Sequence, residues 1–202
     1  MRIFRLTYFL AAMVLLSGFS SIFAASVSVE KGPQGKAELV LKNNLMRLEI
    51  DPQRGARVDS FRFKPWGKIE IIQDKRSQGL FVDHFWQESW PGQFWTANYN
   101  YRILSRGPGE VSVQFSYLSR NEGVPGVAGI LLKKTVTLKE NSPLIKVSLS
   151  LTNTTSGGKY VGYWLQNICW LGGNKENDAY FRPGVRGISR ISSDNASPPR
   201  GG

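Results

Sequence analysis

Leu45-Met46-Arg47-Leu48-Glu49-Ile50-Asp51-Pro52-Gln53-Arg54-Gly55-Ala56-Arg57-Val58-Asp59-Ser60-Phe61 is the stretch on which the fold turns. Met46, Leu48 and Ile50 alternate with Arg47 and Glu49, the two-residue period of a strand with one covered and one wet face. Asp51-Pro52 and Gly55 then break the pattern, and a second extended run begins at Ala56. The same grammar recurs outward from this unit. In Glu110–Leu118, Val111, Val113, Phe115 and Tyr117 alternate with Ser112, Gln114 and Ser116. In Leu144–Asn153, Ile145, Val147, Leu149 and Leu151 alternate with Lys146, Ser148, Ser150 and Thr152.

Further strands are expected at Ala37–Lys42, Ala56–Lys64, Lys68–Gln73, Ala97–Leu104, Leu131–Lys139 and Tyr160–Leu171. Asn43-Asn44, Gly107-Pro108-Gly109, Asn141-Ser142-Pro143 and Ser156-Gly157-Gly158 supply the turns between them. No stretch after Ala25 carries a helical period. About nine strands joined by short turns predict an all-β chain, an antiparallel β-sandwich whose two sheets share one apolar interior.

The composition bounds the chemistry. With 26 Lys and Arg against 15 Asp and Glu, the 202-residue chain carries a formal charge of +11. A 41% hydrophobic content is too apolar for disorder and, with 20% charged residues, too polar for a multi-span membrane protein. A single cysteine, Cys169, excludes an internal disulfide framework, and a single histidine, His84, excludes any motif that needs two. Asp83, His84 and Glu88 have no spacing that fixes a coordination geometry, so neither a metal nor another cofactor is expected.

Residues 1–24 read as a signal peptide. Arg2 and Arg5 precede the apolar run Leu6–Leu16, and small residues lead to Ala24-Ala25. The chain is therefore expected in the periplasm or outside the cell. Contact with a membrane is expected only if that leader stays uncleaved. Residues 25–191 are expected to form the sandwich. Residues 192–202, rich in Ser, Pro and Gly, are expected to form a flexible tail. The basic residues Lys64, Lys68, Lys75, Arg76, Lys133, Lys134, Arg182, Arg186 and Arg190 are scattered. They favour an anionic glycan over nucleic acid, for which no binding motif is present.

Phe81–Tyr101 is the chemically rich segment. Eight aromatics fall in its 21 residues, against 12% for the chain as a whole. Asp83, His84, Gln87, Glu88, Gln93 and Asn98 are interleaved with them. Flat rings beside amides and carboxylates suit a saccharide, whose C–H faces stack while its hydroxyls take hydrogen bonds. Trp86, Trp90 and Trp95 are the candidate stacking rings. Asp83, His84, Glu88 and Gln166 are the candidate hydroxyl partners, with Arg57 beside the glycine turn. In the run Tyr160–Trp170, strand parity puts Trp164, Gln166 and Trp170 on one face and Tyr163, Asn167 and Cys169 on the other.

The run from Leu45 to Phe61 resembles the opening of galactose-mutarotase-like domains, and Tyr163-Trp164-Leu165-Gln166-Asn167, Gly172-Gly173 and Arg182-Pro183-Gly184 resemble a strand and loop of sugar-binding relatives in that superfamily. The resemblance implies an incomplete two-sheet supersandwich that accepts a saccharide. The true mutarotases work with two histidines and a late glutamate, whereas this chain has only His84. The leading expectation is therefore a non-catalytic, exported carbohydrate-binding domain. The alternatives are an aldose 1-epimerase-like enzyme with His84 as acid/base, and a structural envelope domain whose aromatics are all internal.

Overall fold

The computed structural model describes residues 24–32, 35–66, 69–72, 79–88, 92–120, 124, 126–168, 179–184 and 187–192. The expected signal segment up to residue 23, Trp90, Cys169, Trp170 and residues 193–202 lie outside them.

The chain is all-β, and every strand pairing among the described residues is antiparallel. Five strands form one sheet in sequence order: β1 (Ser26–Lys31), β2 (Ala37–Lys42), β3 (Met46–Asp51), β4 (Arg57–Phe63) and β5 (Ile69–Glu70). A second sheet holds β7 (Asn100–Gly107), β8 (Glu110–Leu118), β9 (Ile130–Lys139) and β10 (Ile145–Asn153), again as successive hairpins. Between these sheets in the chain lie β6 (Val82–Phe85) and one helical turn, α1 (Gln93–Thr96). β6 pairs with β11 (Tyr163–Gln166), and β12 (Ala179–Gly184) pairs with β13 (Gly187–Ser192).

Strand parity explains the core. Met46, Leu48 and Ile50 of β3 pack in one cluster with Val111, Val113 and Phe115 of β8 and with Leu132, Val136 and Leu138 of β9. Each such aliphatic side chain taken fully from water stabilises the fold by roughly 1.5–3 kcal/mol. β10 continues the apolar row of its sheet, but as an edge strand it lies past the cover of the opposing layer. Leu149 and Leu151 stay 39% and 38% exposed there.

The expected turns take specific forms. Asn43 Oδ1 accepts from the Leu45 and Met46 main-chain N–H groups at 2.9 and 2.7 Å, closing the β2–β3 turn. Its Nδ2 donates to the Lys139 and Ser142 carbonyls at 2.7 and 2.9 Å, tying that turn to the β9–β10 turn of the other sheet. Gly55 ends the β3–β4 connection at φ +73°, where a Cβ would come within 2.6 Å of the Trp95 carbonyl oxygen. Glycine is required there for both reasons.

The strand expectations need correction at six elements. β1 was not expected, although Val27 and Val29 alternate in it, because it follows directly on the leader-like segment. β6 was hidden because all four of its residues are buried, so it shows no polar–apolar alternation. The strands read at Lys68–Gln73 and Tyr160–Leu171 contract to Ile69–Glu70 and Tyr163–Gln166 among the described residues. Arg182-Pro183-Gly184, read as loop, closes strand β12, and Ser192 belongs to β13 rather than to a tail.

Candidate functional site

The small β6–β11 sheet places the candidate residues. Its register sets His84 opposite Trp164, Val82 opposite Gln166 and Phe85 opposite Tyr163. Alternation then divides the residues between two faces. His84, Trp164 and Gln166 share one face, extended by Trp86 just past the end of β6. Asp83, Phe85 and Tyr163 share the face turned to the core.

On the first face four rings form a continuous ladder. The indole of Trp95, on α1, meets the His84 imidazole edge-on at 5.2 Å and 78°. His84 stacks on Trp164 at 4.9 Å and 16°, and Trp164 leans on Trp86 at 5.0 Å and 52°. The ladder runs from inside to outside: Trp95 is 9% exposed, Trp164 36% and Trp86 76%. Tyr160 lies in the adjoining loop, fully exposed, and its carbonyl accepts from Gln87 Nε2 at 3.1 Å. The Trp86 main-chain N–H donates to the Gly162 carbonyl at 2.9 Å, which ties the backbone of the outer rung to the entry of β11. Burial pushes the His84 imidazole below its usual range, against the opposing pull of a Gln166 hydrogen bond and of the Asp83 charge. It is therefore neutral at pH 7.

The opposite face is structural. Asp83 Oδ2 accepts from Lys134 Nζ at 2.8 Å and from the Tyr99 hydroxyl at 2.9 Å, and Oδ1 accepts from the Tyr163 hydroxyl at 2.7 Å. Lys134 Nζ also donates to the carbonyls of Phe81 and Gly55 at 2.6 and 3.2 Å, so all three ammonium donors are used. Burial lowers the Lys134 pKa while Asp83 opposes that shift. Burial likewise raises both phenols, with the Asp83 charge adding to it, which keeps them as donors.

The residues read from sequence as ligand-facing are therefore distributed unevenly. His84, Trp86, Trp95 and Gln166 gather on the ladder face. Asp83 is enclosed, because strand parity sends it to the opposite side from His84. Arg57 is also enclosed: its Nε donates to Asp59 at 2.8 Å and its guanidinium lies 5.8 Å from the Trp95 ring centre. Glu88 is half-buried beyond the ladder, where Oε1 accepts from the Gln93 main-chain N–H at 3.0 Å. Burial raises its carboxyl above the ordinary range. Trp90 lies outside the described residues.

Lys134, one of the scattered basic residues in the sequence, is a core residue. The signal was present in the alternation Leu132, Lys134, Val136, Leu138, which puts its ammonium on the apolar side of β9. Trp164 outranks Trp95 as an accessible ring, because α1 folds Trp95 under His84.

Among the described residues, no group of three or more His, Cys, Asp or Glu side chains is placed to hold a metal ion. No helix among them is long and apolar enough to cross a membrane. No protein-family model matches the chain, and no curated protein matches it in sequence.

Proposed function

We propose that this is an exported, non-catalytic carbohydrate-binding domain that receives a saccharide on the outer rungs of the aromatic ladder. The observation that carries the reading is the adjacency of the exposed Trp86 ring to the part-exposed Trp164 ring, 5.0 Å apart and backed by His84 and Trp95. An indole left that open forfeits the gain of burial, and monomeric proteins seldom present large apolar rings together without a binding use. The rings below limit rotation of Trp164, so little ordering entropy is lost on binding. Gln166, on the same face, supplies donor and acceptor atoms for hydroxyls.

His84 supports the platform rather than acting as an acid/base. Trp164 covers its face and Trp95 its edge, so a substrate proton has no open approach to the ring.

The test is a titration of the full chain with a panel of neutral oligosaccharides, read by tryptophan emission and calorimetry. Binding is expected at millimolar or lower concentration, weakened about tenfold or more, or 1.4 kcal/mol, by Trp86→Ala and by Trp164→Ala. No response across the panel, or unchanged affinity in both variants, overturns the reading.

A further inference from the structure

The one turn of α1 divides its side chains between two sites. At about 100° per residue, Trp95 turns to His84 while Gln93 and Thr96 turn away from it. There they line a cleft of about 340 Å³ with Ala97, Asn98, Tyr117 and Arg120. That volume lies at the small end of the roughly 300–1,000 Å³ typical of ligand sites, enough for one sugar ring rather than a chain.

The walls are built and held. The Tyr117 ring stacks on Tyr99 at 5.3 Å and 28° and meets Phe94 edge-on at 5.2 Å. Its hydroxyl donates to Gln93 Oε1 at 3.2 Å, fixing the amide. The segment that carries Ala97 and Asn98 is pinned by two main-chain bonds, Gly55 N–H to the Ala97 carbonyl at 2.9 Å and Tyr99 N–H to the Pro52 carbonyl at 2.7 Å. On this frame Thr96, Asn98 and Arg120 are exposed, and none of their side chains forms an ion pair or hydrogen bond with another described residue. Among the described residues, no carboxylate lines the cleft.

We propose that this cleft is a second binding site, for a single sugar ring bearing one acidic group, carboxylate or phosphate. The Arg120 guanidinium forms the fork that either anion takes in bidentate fashion. Asn98 and Thr96 offer one amide and one hydroxyl to ring hydroxyls, and Tyr117 forms a rigid side wall. With Arg120 as the one charged lining residue among those described, the site favours an anion over a neutral sugar.

This site stands apart from the aromatic ladder, so its failure and that of the ladder are separable. The full chain is titrated by calorimetry with D-glucuronate, D-glucose 6-phosphate, D-glucose and acetate. At least one acidic sugar is expected to bind more than tenfold tighter than glucose and than acetate; which of the two does so identifies the anionic group. Arg120→Met is expected to weaken that binding at least tenfold and Asn98→Ala several-fold, while Trp164→Ala leaves it unchanged. Circular dichroism checks that these surface variants fold. The proposal is overturned if neither acidic sugar binds, if glucose or acetate binds as tightly, or if Arg120→Met binds like the parent chain. Loss of binding in Trp164→Ala but not in Arg120→Met also overturns it, since the ligand then sits on the ladder.

Discussion

The His84 imidazole is enclosed by two indoles and held neutral by burial, and this gives the protein a pH dependence of definite sign. Its folded-state pKa lies below the ordinary value near 6.5. As pH falls below that value the unfolded chain takes the proton first, so stability present above pH 6.5 is lost as pH falls through the folded-state pKa. Glu88 acts in the opposite direction. Its carboxyl is raised, so the folded protein binds that proton more readily, and acidification towards the usual carboxylate range adds stability. The two contributions separate by comparison of variants. Between pH 7.5 and 5.5 the urea midpoint of the parent chain is expected to fall more steeply than that of His84→Gln; equal slopes contradict the burial of the ring. At this scale the sequence disclosed His84, Trp86 and Gln166 as chemically able groups. It did not disclose that Asp83, one position away, faces the interior.

The ladder depends on two short elements meeting. β6 and β11 contribute four residues each, and their register alone brings His84 to Trp164. Trp86 is then seated by Gly162, whose hydrogen leaves room for the indole. A Cβ at that position would lie 2.2 Å from Trp86 Cδ1. Because the Trp86 ring is exposed, Gly162→Ala is expected to push it outward, and because the new methyl also crowds Trp86 Cγ and Cβ at 3.0 and 3.3 Å the fold is expected to lose about 1–3 kcal/mol. It is expected to reduce oligosaccharide affinity as Trp86→Ala does. Thermal unfolding and the saccharide titration check the two halves, and full affinity in Gly162→Ala contradicts the role of Trp86 as the outer rung. The longer strands were legible from sequence because each has one covered face, as in β8 and β3. β6 was not, because a strand enclosed on both sides carries no alternation to read.

At the scale of the whole molecule, Asp83 and Lys134 join the five-stranded, the four-stranded and the β6–β11 sheets. Lys134 belongs to β9 of the four-stranded sheet, and the Gly55 carbonyl it reaches belongs to the β3–β4 turn of the five-stranded sheet. Asp83 belongs to the small sheet that carries the ladder. A buried ion pair adds little net stability compared with apolar packing, but removal of one partner leaves the other charge stranded. Asp83→Asn is therefore expected to lose about 3–5 kcal/mol of unfolding free energy. Asp83→Asn combined with Lys134→Met is expected to recover part of that loss, since neither charge then remains. Urea denaturation of the set measures both. A loss below about 1 kcal/mol in Asp83→Asn would mean that the pair is hydrated rather than enclosed.

The sequence by itself determined the local architecture: strands where apolar residues alternate, turns at Asn43, Gly55 and Pro108, and a sandwich as the way to cover so many one-sided strands. It determined too that the segment from Phe81 to Tyr101 is where rings and polar groups concentrate. Only the tertiary structure decided which face of each strand is covered. Parity says that Lys133 and Lys134, or Asp83 and His84, point opposite ways, but the covering groups come from distant parts of the chain. Asp83 meets Lys134 across 51 positions and Tyr163 across 80. Periodicity is a local property, whereas exclusion of water at a given side chain depends on those remote neighbours. For that reason Trp86 is open, Trp95 is enclosed, and one of two adjacent lysines lies in the core.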